Sequence, residues 1–332
     1  MTEIRLAFGE LHSALRTAGE GTRLRVLGLL AEAELTVSDL TEILRQSQPR
    51  ISRHLKLLCE AHLVERQREG SWAFFRLTER GGPAELVRAL IARLDPADPI
   101  LVRDRARLSE VRAARAAAAQ AYFSAHAAEW DRIRRLHASD IAVEAAIRTA
   151  LGDGPIRSLL DLGTGTGRML ELLGGQTEVG LGIDLSPAML LLARARLERA
   201  GLRHCRVRQG DIYDLTLPRD SFDVVIIHQV LHYLDDGARA IREAASVLRP
   251  QGRLLVVDFA PHQLEFLREQ HAHLRPGFSF ETVAQWMQAA HLDLMRHETL
   301  PPDPQSEGTI AVSLWLAGDQ RLVSAAPARE VA

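Results

Sequence analysis

Lysine is all but missing from this chain of 332 residues, where Lys56 stands alone beside forty arginines. Cysteine is nearly as scarce. Cys59 and Cys205 are the only two, too few for a disulfide scaffold or a thiolate-rich zinc site. No apolar run approaches the roughly 18 residues that cross a bilayer, which excludes a spanning helix. The first thirty residues hold no continuous apolar stretch of the signal-peptide kind, so a reducing, cytoplasmic setting without membrane contact is expected. Neither sign of charge prevails: 41 basic against 43 acidic residues leave a formal net charge of −2, which rules out a bulk polycation that coats nucleic acid. Aromatic residues make up only 5%. Apolar residues make up 46%, and the length suggests about two domains of roughly 100 to 200 residues each.

The two halves differ in rhythm. Residues 8–94 read as short helices followed by one hairpin, whereas residues 156–316 alternate strand and helix as in a doubly wound, mostly parallel sheet. Asp95-Pro-Ala-Asp-Pro99 breaks the helical pattern between them. The Ala- and Arg-rich stretch 101–121 reads as a connecting helix. The expected division is a winged helix-turn-helix over 1–94 for DNA binding and dimerisation, a connector and helical cap over 95–150, an α/β domain over 151–320, and a disordered tail over 321–332.

In the first half, helices are expected over Phe8 to Ala18 and Thr22 to Ala33, the latter with Leu24, Leu27 and Leu30 on one face. Thr36 and Asp39 have the spacing of a reciprocal N-terminal cap. Ser47 and Pro49 open a further helix on which Ile51, Leu55 and Leu58 recur at i, i+4 and i+7. That stripe turns inward, so Arg50, Arg53, His54 and Lys56 lie away from it. Glu65 to Thr78 alternates charged and apolar residues around Glu69-Gly70, a hairpin pattern. Residues 45–80 hold eight basic residues against four acidic. Helix, turn, basic helix and hairpin form a winged helix-turn-helix, in which a helix fits the major groove and a basic hairpin grips flanking phosphates. Gln48, Arg50, Ser52, Arg53 and His54 are the expected base readers, with Lys56, Arg66 and Arg68 on phosphates.

Gly21-Thr-Arg-Leu-Arg-Val-Leu27, Ser47-Gln-Pro-Arg-Ile-Ser-Arg-His-Leu55 and Glu69-Gly-Ser-Trp-Ala-Phe-Phe-Arg-Leu77 together resemble the ArsR family of bacterial regulators. The resemblance implies a homodimer on an inverted-repeat operator in double-stranded DNA. Metal-sensing members carry a Cys-x-Cys pair before the turn; here that stretch reads Leu35-Thr-Val-Ser-Asp39. Without thiolates, soft-metal sensing is not expected there.

In the second half, the apolar strand Arg157 to Leu162 runs into Gly163-Thr-Gly-Thr-Gly167, with Asp161 two residues before the first glycine. Glycines permit a tight turn and close approach of backbone to ligand. The G-x-G-x-G spacing differs from that of dinucleotide binders, and a carboxylate at Asp161 would oppose a pyrophosphate but suit the ammonium of a methionine moiety. The strand Glu178 to Ile183 ends in Asp184, placed to accept ribose hydroxyls, with Leu185 following. The strand His204 to Gln209 ends in Gly210-Asp211-Ile212, where Asp211 would accept from an adenine amino group while Ile212 packs on the ring. Each acid alone is as often a cap or turn residue. In order, the three fit a cationic nucleoside without phosphates, S-adenosylmethionine, or its product S-adenosylhomocysteine. The cofactor-binding set is Asp161, Gly163, Gly165, Gly167, Asp184, Leu185, Asp211, Ile212 and His228.

Leu160 to Gly167, Gly182 to Met189, Ser221 to His228 and Val247 to Asp258 together resemble class I methyltransferases, in particular the ubiquinone and menaquinone C-methyltransferase group. That implies a Rossmann-like sheet of seven strands, Leu292 to Glu298 and Thr309 to Leu316 forming its final antiparallel pair. Val230-Leu-His-Tyr-Leu-Asp-Asp236 resembles the stretch holding the base histidine of small-molecule O-methyltransferases, which makes His232 the catalytic candidate. His262, Glu265, Glu269 and His273 read as a polar lid rather than a metal site, and no metal is expected. The Asn/Asp-Pro-Pro-Tyr and Pro-Cys motifs of DNA methyltransferases are missing after the fourth strand. Two functions remain open: a regulator of transcription whose methyltransferase-like domain senses S-adenosylmethionine or S-adenosylhomocysteine, catalytic or not, and a transferase acting on a small-molecule methyl acceptor that uses its winged helix only to dimerise.

Overall fold

The computed structural model describes residues 6–69, 72–78, 81–127, 140–302 and 310–321. Two compact units divide the chain, Met1–Ala117 and Ala118–Ala332.

The first unit begins with α1 (Phe8–Ala18), α2 (Gly21–Leu30), the two-residue strand β1 (Leu35–Thr36), α3 (Val37–Leu44) and α4 (Gln48–Glu60). The expected cap at α3 is present: the Asp39 amide donates to Thr36 Oγ1 at 3.3 Å and the Thr36 amide to Asp39 Oδ2 at 2.9 Å. Arg45 ends α3 in the left-handed region at φ 51°, which makes the tight turn into α4. Ser47 takes the cap position of α4, but its hydroxyl forms no cap bond; Pro49 fits the first turn. Ile51, Leu55 and Leu58 are buried as their spacing predicts. On α2 the buried set is Val26, Leu27, Leu29 and Leu30, with Leu24 only half-buried, because the core reaches α2 from two sides.

The wing is β2 (Val64–Glu69) paired antiparallel with β3 (Trp72–Leu77), and β1 adds a third strand through Leu35 opposite Phe75. Sequence patterning missed β1, which is too short to alternate. After α5 (Gly82–Ile91), Asp98 caps α6 (Pro99–His126), its Oδ1 accepting from the Ile100 amide at 2.8 Å. The helix is longer at both ends than the connecting helix expected over 101–121. Its Leu108 and Val111 are buried in the first unit's core, and Asp104 receives two bonds from Arg25.

The second unit comprises the end of α6 from Ala118 onward, α7 (Asp140–Leu151), β4 (Ile156–Leu162), α8 (Arg168–Leu173), β5 (Thr177–Asp184), α9 (Pro187–Arg199), β6 (Cys205–Gln209), β7 (Phe222–His228), α10 (Gly237–Ser246), β8 (Leu248–Phe259), α11 (Phe266–His271), α12 (Phe280–Ala289), β9 (Leu292–Leu300) and β10 (Val312–Asp319). The strands form one seven-stranded sheet in the order β6-β5-β4-β7-β8-β10-β9. β10 enters between β8 and β9 and runs antiparallel to both, while β4 to β8 are parallel. β10 starts three residues later than expected, and part of the loop before it, like the tail after Arg321, lies outside the described residues. Apolar clusters cover both faces: Leu159, Leu170, Val224 and Leu255 belong to one, and Leu160, Ile183, Val225 and Trp315 to the other. A parallel sheet buried on both faces leaves its carboxyl edge as the place for a ligand. No helix among the described residues is long and apolar enough to cross a membrane.

Candidate functional site

The carboxyl ends of β4, β5, β7 and β8 carry Asp161, Asp184, His228 and Asp258. The glycine loop after β4 folds over the end of β5, with the amides of Gly163 and Thr164 both donating to the Ile183 carbonyl at 2.8 and 3.0 Å. Gly163, Gly165 and Gly167 have φ of 70°, 51° and 81°, a region that side-chain-bearing residues rarely occupy. A Cβ on Gly163 would stand 2.4 Å from Val230 Cγ2. Two of the expected carboxylates build this loop. Asp161 is buried and accepts from the Thr164 hydroxyl at 2.6 Å, while Asp184 accepts from the Gly165 amide through Oδ2 and the Ser186 amide through Oδ1, each at 2.8 Å. An ionised carboxylate has about four lone-pair sites, so each Asp184 oxygen keeps capacity for a ligand hydroxyl. Burial raises the Asp184 pKa from its ordinary value, outweighing the lowering by its two amide donors.

Leu185 projects into solvent beside Asp184. Asp211 accepts from the Tyr213 amide at 2.8 Å, and Ile212 is buried in a core cluster. His228 is the last residue of β7, half-buried and engaged. The expected acids thus share one edge of the sheet, and the donor set, free of any phosphate-seeking cation in the loop, suits a cationic nucleoside.

His232 lies in a short 3-10 turn, Leu231–Tyr233, directly after the residue that covers Gly163. It is only 1% exposed, and its Nδ1 is 2.7 Å from Asp258 Oδ1. Asp258, which sequence reasoning gave no role, is wholly buried and also receives the Phe259 amide through that oxygen. Its position at the end of the next parallel strand was the available signal. Tyr122, in the last turn of α6, was missed too: its hydroxyl is 2.6 Å from His271 Nδ1. His262 and His273 fall near this group, while Glu265 is exposed and the Glu269 side chain lies outside the description. Among the described residues no three His, Cys, Asp or Glu side chains gather as metal ligands.

In the first unit, Gln48, Arg50, Ser52, Arg53 and Lys56 are exposed on the outer side of α4, and Arg66 is exposed at the start of the wing. His54 departs from that group. Its side chain is 12% exposed and turns back toward the α2 N-terminus, Nδ1 lying 3.5 Å from Glu20 Oε2. Burial lowers its pKa despite the nearby carboxylate. Arg68 pairs with Ala73 through the β2–β3 ladder, and its side chain lies outside the description.

Residues 20–66 match the family model of the bacterial regulatory proteins of the arsR family, and residues 160–256 match that of the methyltransferase domain. The chain joins an ArsR-family winged helix-turn-helix domain to a methyltransferase domain. The ubiquinone/menaquinone biosynthesis C-methyltransferase UbiE of Vibrio parahaemolyticus is 35% identical over 174 residues, which is 51% of this chain and 61% of that protein. The uncharacterized methyltransferase YcgJ of Bacillus subtilis is 33% identical over 104 residues, 31% of this chain and 41% of its own length. The chain therefore spans about half the length of these curated relatives. The solved structure of YcgJ, at 19% identity, covers 54% of this chain and 98% of its own with a TM-score of 0.46. The methyltransferase domain has S-adenosylmethionine as its cofactor.

Proposed function

We propose that the protein is a homodimeric, DNA-binding transcription regulator whose methyltransferase domain binds S-adenosylmethionine or S-adenosylhomocysteine and so biases its affinity for an inverted-repeat operator. The observation that carries this reading is the glycine loop bound to Asp184 beside Asp161 in a chain whose other unit turns five polar and basic side chains of α4 outward. Asp161 would face the ammonium, Asp184 the ribose hydroxyls, and Asp211 the adenine amino group; Leu185, Ile212 and His228 would border the base and the methionine arm. The two ligands differ by one methyl and one positive charge, and an acidic site can tell them apart. Ligand shifts the regulator only if it favours one arrangement of the chain, for which the stretch Asp95 to Ala121 is the natural element.

Dimerisation draws support from α1, where Phe8, Leu11 and Leu15 at helical spacing are 88%, 38% and 45% exposed. On DNA, Arg50 and Arg53 would read base edges with Gln48 and Ser52, and Lys56 and Arg66 would meet phosphates. A second reading, methyl transfer to a small-molecule acceptor with His232 as base, is favoured by one observation: the 2.7 Å contact between His232 and Asp258. The test is operator binding measured without ligand, with S-adenosylmethionine and with S-adenosylhomocysteine, beside calorimetry of both ligands. Different operator affinities are expected for the two forms; equal DNA affinity in all three states, with ligand bound, refutes the sensor.

A further inference from the structure

In a chain with so few aromatic residues, two of three tyrosines and five of thirteen histidines meet at one place in the second unit. The rings form a continuous series. Phe123 lies 4.8 Å from Tyr233, Tyr233 4.0 Å from His232, His232 4.2 Å from His273 and 4.8 Å from Phe259. Hydrogen bonds or close polar contacts tie the series together: Tyr122 hydroxyl with His271, Tyr233 hydroxyl with His273 Nε2 at 3.4 Å, and His232 with Asp258.

Two polar atoms within it have no partner although both are buried, His232 Nε2 and Asp258 Oδ2. Burying such atoms unsatisfied costs stability, and a merely structural core would be filled by apolar side chains at no such cost. The series also adjoins the cofactor loop: Val230, just before the turn holding His232, stands against Gly163, and the Gln229 amide donates to the Val257 carbonyl on the strand that carries Asp258.

We propose that this cluster is the methyl-acceptor site and that it takes a planar small molecule bearing an ionisable hydroxyl. The inference rests on the reading of the adjoining loop as the S-adenosylmethionine site. Ring faces stack on a planar partner. Asp258 accepts Nδ1–H of His232, which leaves Nε2 as the bare lone pair that removes the hydroxyl proton. As His232 takes that proton, the acceptor oxygen forms its bond to the methyl carbon, and the electron pair of the breaking carbon–sulfur bond stays on sulfur. The imidazolium so formed is balanced by Asp258, a positioning residue, and returns its proton to water. Burial raises the pKa of both Tyr122 and Tyr233, so the phenols serve as donors rather than bases. Tyr122 and Phe123 bring the end of α6 against this cluster, where they would border the acceptor.

Catechol is the probe, used with the full chain. Calorimetry first measures S-adenosylhomocysteine binding to wild type, His232→Gln, Asp258→Asn and Tyr122→Phe. Catechol is expected to raise the melting temperature of the homocysteine-loaded protein and to accelerate S-adenosylhomocysteine formation from S-adenosylmethionine. His232→Gln is expected to reduce that acceleration by about a hundredfold with nucleoside affinity kept, and Tyr122→Phe to weaken catechol binding several-fold. Nitrogen-15 spectra should show His232 protonated at Nδ1 and bare at Nε2, a tautomer that Asp258→Asn disturbs. If nucleoside binds and catechol changes neither melting nor turnover, the acceptor site falls while the cofactor site stands. If nucleoside does not bind, both fall. His232 protonated at Nε2 in the wild type overturns its role as base whatever the fate of the Asp258 variant.

Discussion

Arg25 of α2 and Asp104 of α6, 79 residues apart, meet in a two-pronged ion pair with Nε and Nη2 at 2.6 and 2.7 Å from the two carboxylate oxygens. Asp104 is only 2% exposed, so its desolvation is offset by Arg25. Asp104→Ala leaves the guanidinium half-covered and unpaired. Loss of about 2–4 kcal/mol from the first unit is expected by urea unfolding, and an Arg25→Ala/Asp104→Ala double variant should lose less than the sum of the two single changes.

Gly163→Ala combines a left-handed φ with a clash against Val230. The loop must shift to admit the methyl group, and calorimetric affinity for S-adenosylhomocysteine should fall at least about tenfold, a cost on the order of 1–3 kcal/mol for a strained loop. Retained affinity would mean that the loop does not touch the ligand.

Asp184 must be ionised to accept two hydroxyls, and its folded-state pKa is raised by burial. An acid with a raised pKa binds a proton more tightly folded than unfolded, so its contribution to stability is greatest at low pH and is lost as pH rises through the folded value. Nucleoside affinity should have the opposite trend, falling as pH drops through that same raised value and therefore at higher pH than an ordinary aspartate dictates. Asp184→Asn should bind weakly and without this limb, as measured by calorimetry across pH 4 to 7.

On DNA, Arg53→Ala should weaken operator binding far more than binding to random duplex, and Lys56→Ala should weaken both alike while lowering the slope of log affinity against log salt by about one phosphate contact. Equal losses for Arg53→Ala on both duplexes would remove it from base reading.

Leu15→Glu places a charge in the exposed apolar stripe of α1. Light scattering should show a shift from dimer to monomer with the far-ultraviolet circular dichroism unchanged, and operator affinity should fall with it.

Regular pattern made much of the fold legible. The Thr36–Asp39 cap, the inward stripe of α4 and the strand ends at Asp161 and Asp184 follow from local chemistry that a sequence displays. The missing parts depend on partners far along the chain. β1 exists only because Leu35 and Thr36 meet β3, and His54 turns inward toward Glu20, the cap residue of α2, 34 positions earlier. Asp258 gained a role when the fold brought it to His232, 26 residues earlier. Tyr122 sits in an Ala- and Arg-rich helix whose pattern says nothing of His271, 149 residues away.

Lys56, 75% exposed on the outer side of α4, carries the chain's single lysine amine. Acylating reagents that spare guanidinium groups can thus mark one chosen spot on the helix assigned to DNA, among all the side chains. A fluorophore attached there would sit where duplex is proposed to approach, and shielding of the same amine by bound duplex would test that contact without altering any of the forty arginines. With arginine as its only other long basic side chain, the molecule carries a built-in address for its own footprinting.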